Sequence, residues 1–108
     1  MRAELLKGHT ELLLLQTLDA GPAHGYLVID RLRELSQGAL DLPEGTVYPV
    51  LHRLERAGAI RSQWDASGPR RRRIYELTPR GHSVLRAKRT EWTGFVQAIT
   101  SVVGTGHA

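Results

Sequence analysis

Two clusters of side chains in this 108-residue chain have types and spacings that could do chemistry. The first lies in Leu42-Pro43-Glu44-Gly45-Thr46-Val47-Tyr48-Pro49-Val50-Leu51-His52-Arg53-Leu54-Glu55-Arg56-Ala57-Gly58. Val47, Val50, Leu51 and Leu54 recur at helical spacing and form an apolar stripe. Off that stripe lie Thr46, Tyr48, Pro49, His52, Arg53 and Arg56, which offer hydroxyls, a ring and guanidinium groups. A helix anchored by one face and presenting such groups on the other suits base edges in a DNA major groove. Glu44 and Gly45 stand in its first turn, where the missing Cβ of Gly45 leaves room for close approach. The second cluster is Arg70, Arg71, Arg72 and Arg73. Guanidinium groups bind phosphate oxygens bidentately and supply salt-dependent affinity, not sequence choice.

Other chemistries lack residues to rest on. Cysteine is absent, so there is no thiolate nucleophile, disulfide or Cys metal site. The histidines (9, 24, 52, 82 and 107) are isolated, and no glycine-rich phosphate loop or paired-carboxylate constellation is present. The expectation is a non-enzyme without cofactor or metal. No apolar run approaches the roughly 18 residues of a membrane span. The chain is therefore expected to be soluble and cytoplasmic, away from membranes. Net charge is +4, but unevenly spread. Residues 43–90 carry eleven Arg or Lys against four acids, a net +7; the remainder is net −3. A basic half implies a polyanionic partner such as double-stranded DNA.

The elements that must position these groups follow from periodicity. Thr10 is expected to cap a helix of residues 11–20, in which Leu12 to Leu15 and Leu18 make it the central core helix. A second helix is predicted over 24–37, with Tyr26, Val28, Ile29, Leu32 and Leu35 inward, Asp30, Arg31, Arg33 and Glu34 outward, and His24 as a capping or packing residue. After the 43–58 helix, Ile60, Ser62 and Trp64 alternate with Arg61 and Gln63, a strand pattern. Turn residues 65–69 lead into the four arginines and a second strand in which Tyr75 and Leu77 share a face, with Trp64 as cross-strand neighbour. Thr78-Pro79 opens a last helix reaching about Val103. The fold class is therefore mainly α with a small two-stranded β wing: a winged helix-turn-helix plus a long C-terminal helix.

Along that last helix Leu85, Trp92 and Ile99 are seven apart, as are Lys88, Phe95 and Val102, with Val96 and Val103 adjoining. A stripe this long exceeds what a small core can cover, so the expected partner is a second copy of the chain, with Leu5 and Leu6 joining the interface. Two Trp92 indoles near a dyad could anchor that packing or sandwich a planar small molecule. The domain reading is 1–78 for the winged helix-turn-helix, 79–104 for the dimerisation helix and 105–108 as tail.

Several strings resemble the PadR-like transcriptional regulators: Lys7-Gly8, Gly21-Pro22-x-His24-Gly25-Tyr26, Glu44 through Glu55, and Arg71-x-Arg73-x-Tyr75-x-Leu77-Thr78-x-x-Gly81. The resemblance spans about residues 7–99. It implies a homodimeric repressor that binds a palindromic operator. Glu44 to Arg53 would belong to the recognition helix and Arg70 to Arg73 to the wing. The single C-terminal helix resembles the short subgroup, some of whose members respond to aromatic compounds. There Trp92 matches the residue that lines a ligand pore at the dimer centre, implying a small aromatic effector. A different reading is a winged-helix protein-protein interaction module whose basic wing docks an acidic partner without specific DNA binding.

Overall fold

The structure, a computed structural model, describes residues 3–104, with side chains described from Leu5 onward. The expected 105–108 tail lies outside the described residues. The hub is α2 (Thr10–Asp19), which follows a single turn, α1 (Ala3–Leu6). Leu14, Leu15 and Leu18 of α2 are buried, and α3, α4, α5 and the sheet all pack on it. Each such leucine contributes about 1.5–3 kcal/mol by leaving water. Thr10 is not the cap expected from the sequence: it lies inside α2, and His9 holds the N-cap position without a side-chain bond. The buried Thr17 hydroxyl donates to the Leu14 carbonyl at 2.7 Å, so no polar group is stranded there.

The second helix, α3, runs Gly25–Leu35, with the His24 Nδ1 accepting from the Leu27 N–H at 3.3 Å. Val28, Ile29 and Leu32 face the core as expected, whereas Tyr26 and Leu35 are exposed. The three buried positions already fill a stripe about one side chain wide, and the outer two fall on its flank. Arg31 also departs from expectation. It turns inward and donates to the carbonyls of Thr17 (3.2 Å) in α2 and of Gly21 (2.7 Å) and Pro22 (3.4 Å) in the linker, tying the end of α2 to the chain that follows it.

The third core helix, α4 (Glu44–Arg56), buries Val47, Val50, Leu51 and Leu54 as its spacing predicts, and Gly58 ends it at φ 78°. Strands β1 (Ile60–Asp65) and β2 (Arg72–Leu77) pair antiparallel, with Ile60 opposite Leu77, Ser62 opposite Tyr75 and Trp64 opposite Arg73. Ala23 exchanges both backbone hydrogen bonds with Tyr75 (3.0 and 2.9 Å), tying the α2–α3 linker to the wing.

The long helix α5 (Pro79–Val103) starts as expected: Thr78 caps it, accepting from the Gly81 N–H at 3.0 Å. Its first turns belong to the protomer's own core. Leu85, expected on a dimer seam, is 1% exposed and packs among the core residues. Lys88, also expected there, is largely covered and pairs with Glu11 at 3.4 Å. The reason is docking: Gly81 lies flush against the Ala59 carbonyl, and Arg89 bonds Gln16 (2.8 Å) and Asp19 (3.1 Å). Beyond that point Trp92 and Phe95 still touch His9, and α5 then runs clear of the body. Trp92, Phe95, Val96, Ile99, Val102 and Val103 all remain exposed, as does Leu5, while Leu6 packs partly on the core.

Candidate nucleic-acid interface

Burial of one stripe of α4 turns the remainder outward. Glu44, Gly45, Thr46, Pro49, His52, Arg53 and Arg56 are exposed along one side of the helix. A Cβ added to Gly45 would meet nothing within 4 Å, so its backbone is open to approach. Pro49 lies in the second turn and has no N–H, which leaves the Gly45 carbonyl without its usual donor. Arg53 leans towards α2, its Nε 3.7 Å from Glu11, so it is less available than its exposure suggests.

Tyr48 sits on the border between the two faces. Its ring tip occupies the space where a Gly25 Cβ would be, with Cζ and Oη each 2.5 Å from that position. Gly25 is therefore small because Tyr48 needs the room. Tyr26 meets Tyr48 edge to face, with centroids 6.4 Å apart. Burial raises the Tyr48 pKa, followed by the charge of Glu44. Hydrogen bonding to the Glu44 carboxylate, then its charge, raises that of Tyr26. Both phenols keep their protons at neutral pH and stay hydrogen-bond donors.

The wing stands beside this helix. Arg70 and Arg71 lie in the connection and Arg72 and Arg73 in β2. Among the described residues none of the four forms an ion pair, in contrast to Arg33, Arg61 and Arg89, which do. Arg71 and Arg73 hold their guanidinium carbons 4.7 and 4.8 Å from the Trp64 ring centroid. Arg73 also donates from Nε to the Ser62 hydroxyl at 2.9 Å, and that hydroxyl donates to Glu55 on α4. Trp64 is thus the direct partner of Arg73, not of Tyr75 or Leu77, which share its face one and two steps along.

Between α4 and the wing lies an open groove of about 270 Å³, lined by Tyr48 and His52 of α4, His24 and Tyr26 at the start of α3, Trp64, and Arg71, Arg72 and Arg73. Burial lowers the His24 pKa, with the Arg72 charge acting in the same direction. Sequence reasoning gave His24 a capping or packing role and placed Tyr26 in the core. Their signal was the adjacency of both to Gly25, a small residue that marks a close approach. Trp92 lies far along the chain from this groove, on α5. It packs edge to face on His9 at 5.1 Å and borders a mostly apolar cavity of about 250 Å³ with Leu5, Leu6, Leu12, Leu13 and Leu40. Among the described residues no group of three His, Asp or Glu converges as a metal site, and no helix is long and apolar enough to cross a membrane.

A polar-faced helix beside an unpaired basic hairpin is the winged-helix arrangement. The profile of the family described as "Transcriptional regulator PadR-like family" matches residues 14–87, well over half of the chain. The chain belongs to this family. Members of the PadR-like family are transcriptional regulators, not enzymes. The structure superposes on a transcriptional regulator from Clostridium thermocellum with a TM-score of 0.87 at 27% identity, covering 94% of this chain and 99% of that one. A PadR family regulator from Eggerthella lenta gives 0.80 at 30% identity over 95% and 88% of the two chains. Among curated proteins, Transcriptional regulator Rv3488 of Mycobacterium tuberculosis is 42% identical over 53 residues, about half of each chain.

Proposed function

We propose that this PadR-like regulator is a homodimeric repressor that reads a palindromic operator with α4 and grips flanking phosphates with its wing. The observation that carries the reading is the pairing of two surfaces. One is an α4 face with exposed Thr46, Pro49 and His52, and the other is a run of arginines left without acidic partners. Among the described residues Arg33, Arg53, Arg61 and Arg89 find carboxylates, whereas the four consecutive wing arginines do not and stand together, available to a polyanion. Thr46, Tyr48 and His52 choose sequence, with Glu44 and Gly45 at the helix start. Arg70, Arg71, Arg72 and Arg73 contact backbone.

The second part of the reading is the dimer. Trp92, Phe95, Val96, Ile99, Val102, Val103 and Leu5 form an apolar face too large for a monomer to leave in water. Pairing along this part of α5 would bury it and set two α4 helices about one duplex turn apart. The third part is an effector: a planar aromatic molecule held against Trp92, beside the apolar cavity that this residue borders with α1 and α2.

A gel shift on DNA upstream of the protein's own gene tests the reading. The expected result is a discrete complex that competes with random duplex and carries two protomers. Replacing Arg71 and Arg72 with Ala should weaken operator and random DNA alike. No retarded species at low salt, or a complex with one protomer, would refute the proposal.

A further inference from the structure

Trp64 is a large indole left 52% exposed on the wing, on the same face as Tyr75 but beyond the buried core, where it lines the groove beside α4. Exposed tryptophan is uncommon, and here both neighbouring arginines on its face come to the ring. Arg71 approaches to 4.7 Å and Arg73 to 4.8 Å. We propose that Trp64 is a positioning residue for DNA binding: its indole holds the Arg71 and Arg73 guanidinium groups together at fixed spacing, aimed at the duplex backbone. The inference rests on the DNA-binding reading above and adds to it a neutral residue that touches the phosphates only through others.

Four consecutive guanidinium groups repel one another, and on a bare hairpin arm they would spread over many rotamers. Arginine loses much side-chain entropy when a phosphate immobilises it. A ring that attracts cations to its face offsets the repulsion and restricts the rotamers before DNA arrives. The register makes this possible, because Arg73 lies directly opposite Trp64 in the ladder. A second tether fixes the wing relative to α4. Glu55, in the last turn of that helix, accepts from Ser62, and Ser62 accepts from Arg73 Nε at 2.9 Å. Only Nε of Arg73 is committed by this bond, so its two terminal nitrogens remain to reach a phosphate. Stack and tether together hold the spacing between recognition helix and wing, which must match the distance from groove floor to backbone.

The test is the salt dependence of binding to random duplex, read by fluorescence anisotropy for the wild type, W64L and W64F. Each phosphate contact contributes about 0.9 to the slope of log K against log salt. W64L removes no charge, yet its slope should fall by up to about 1.8 units, the value for two lost contacts. W64F, which keeps an aromatic face, should retain the wild-type slope. In the free protein the side-chain protons of Arg71 and Arg73 should show ring-current shifts that vanish in W64L. A wild-type slope in W64L, whatever its melting temperature, would overturn the inference while leaving the DNA-binding reading intact. A slope in W64F as low as in W64L would overturn it equally. A wild type that binds no duplex would remove both.

Discussion

Replacing Gly25 with Ala tests the geometry of the recognition surface without touching a residue that would contact DNA. Gly25 is buried in the first turn of α3 with ordinary helical backbone, so the backbone accepts Ala and gains up to about 1 kcal/mol in helix propensity. The new Cβ, however, would stand 2.5 Å from both Cζ and Oη of Tyr48, and 2.7 Å from Cε1. All three atoms are the far end of one side chain, so the ring must swing away. An off-rotamer ring costs about 0.5–1.5 kcal/mol. Uncovering part of its apolar area costs about 1 kcal/mol more. The net effect is a loss of about 1 kcal/mol, a fall in Tm of about 5 °C, and a protein still folded at 25 °C. The functional effect should be larger. One good base contact discriminates by about 1–3 kcal/mol, so operator preference over random DNA should drop about tenfold or more. Binding to random duplex, which depends on the wing, should stay near wild type. Titrating both duplexes at one salt concentration gives the ratio, and circular dichroism gives the Tm. The double variant with Tyr48→Ala should discriminate no worse than Tyr48→Ala alone, because both act through the same ring. A Gly25→Ala protein that melts as expected yet keeps the wild-type ratio would refute the assignment of Tyr48 to sequence choice.

Gly81→Ala should be far more damaging, since its Cβ would fall 1.9 Å from the Ala59 carbonyl oxygen, a backbone atom that cannot step aside; a loss of about 3 kcal/mol or more in urea titration is expected. Leu85→Ala should cost about 2–5 kcal/mol at every protein concentration, as a core cavity does. Ile99→Ser should instead make the melting temperature independent of concentration, because it removes the dimer and not the core. Stability should also depend on His24. Its folded pKa lies below the ordinary 6.5, so the neutral form that caps α3 is favoured and the unfolded chain binds protons first. That contribution is complete above about pH 6.5 and declines as the pH falls further. Thermal melts between pH 8 and 5 should show a drop at the acidic end, and His24→Asn, which caps without titrating, should reduce it.

How far the sequence reached depends on the range of each interaction. The α4 stripe was legible because Val47, Val50, Leu51 and Leu54 repeat with the helical period, and burial follows period directly. The cap of α5 was legible too, since Thr78 acts on Gly81 three residues away. Errors arose where a side chain could serve two masters. Leu85 fits a seven-residue repeat with Trp92 and Ile99, but the first turns of α5 are pinned to α2 and Ala59, so the core takes it first. Arg31 is charged and was expected outside, yet the last turn of α2 and the linker after it offered three carbonyls that pattern alone does not reveal. The contact of Gly25 with Tyr48 crosses 23 positions and leaves only a missing Cβ as its trace. The stacking on Trp64 needs the strand register, which shifts with the length of the connecting turn.

Reading a palindromic operator requires two recognition helices presented together to one duplex. Hydroxyl-radical footprinting on the upstream DNA addresses that most directly. It should reveal two equivalent protected segments, related by a dyad and centred about 10 base pairs apart. A single unpaired segment, or uniform protection without symmetry, would contradict it.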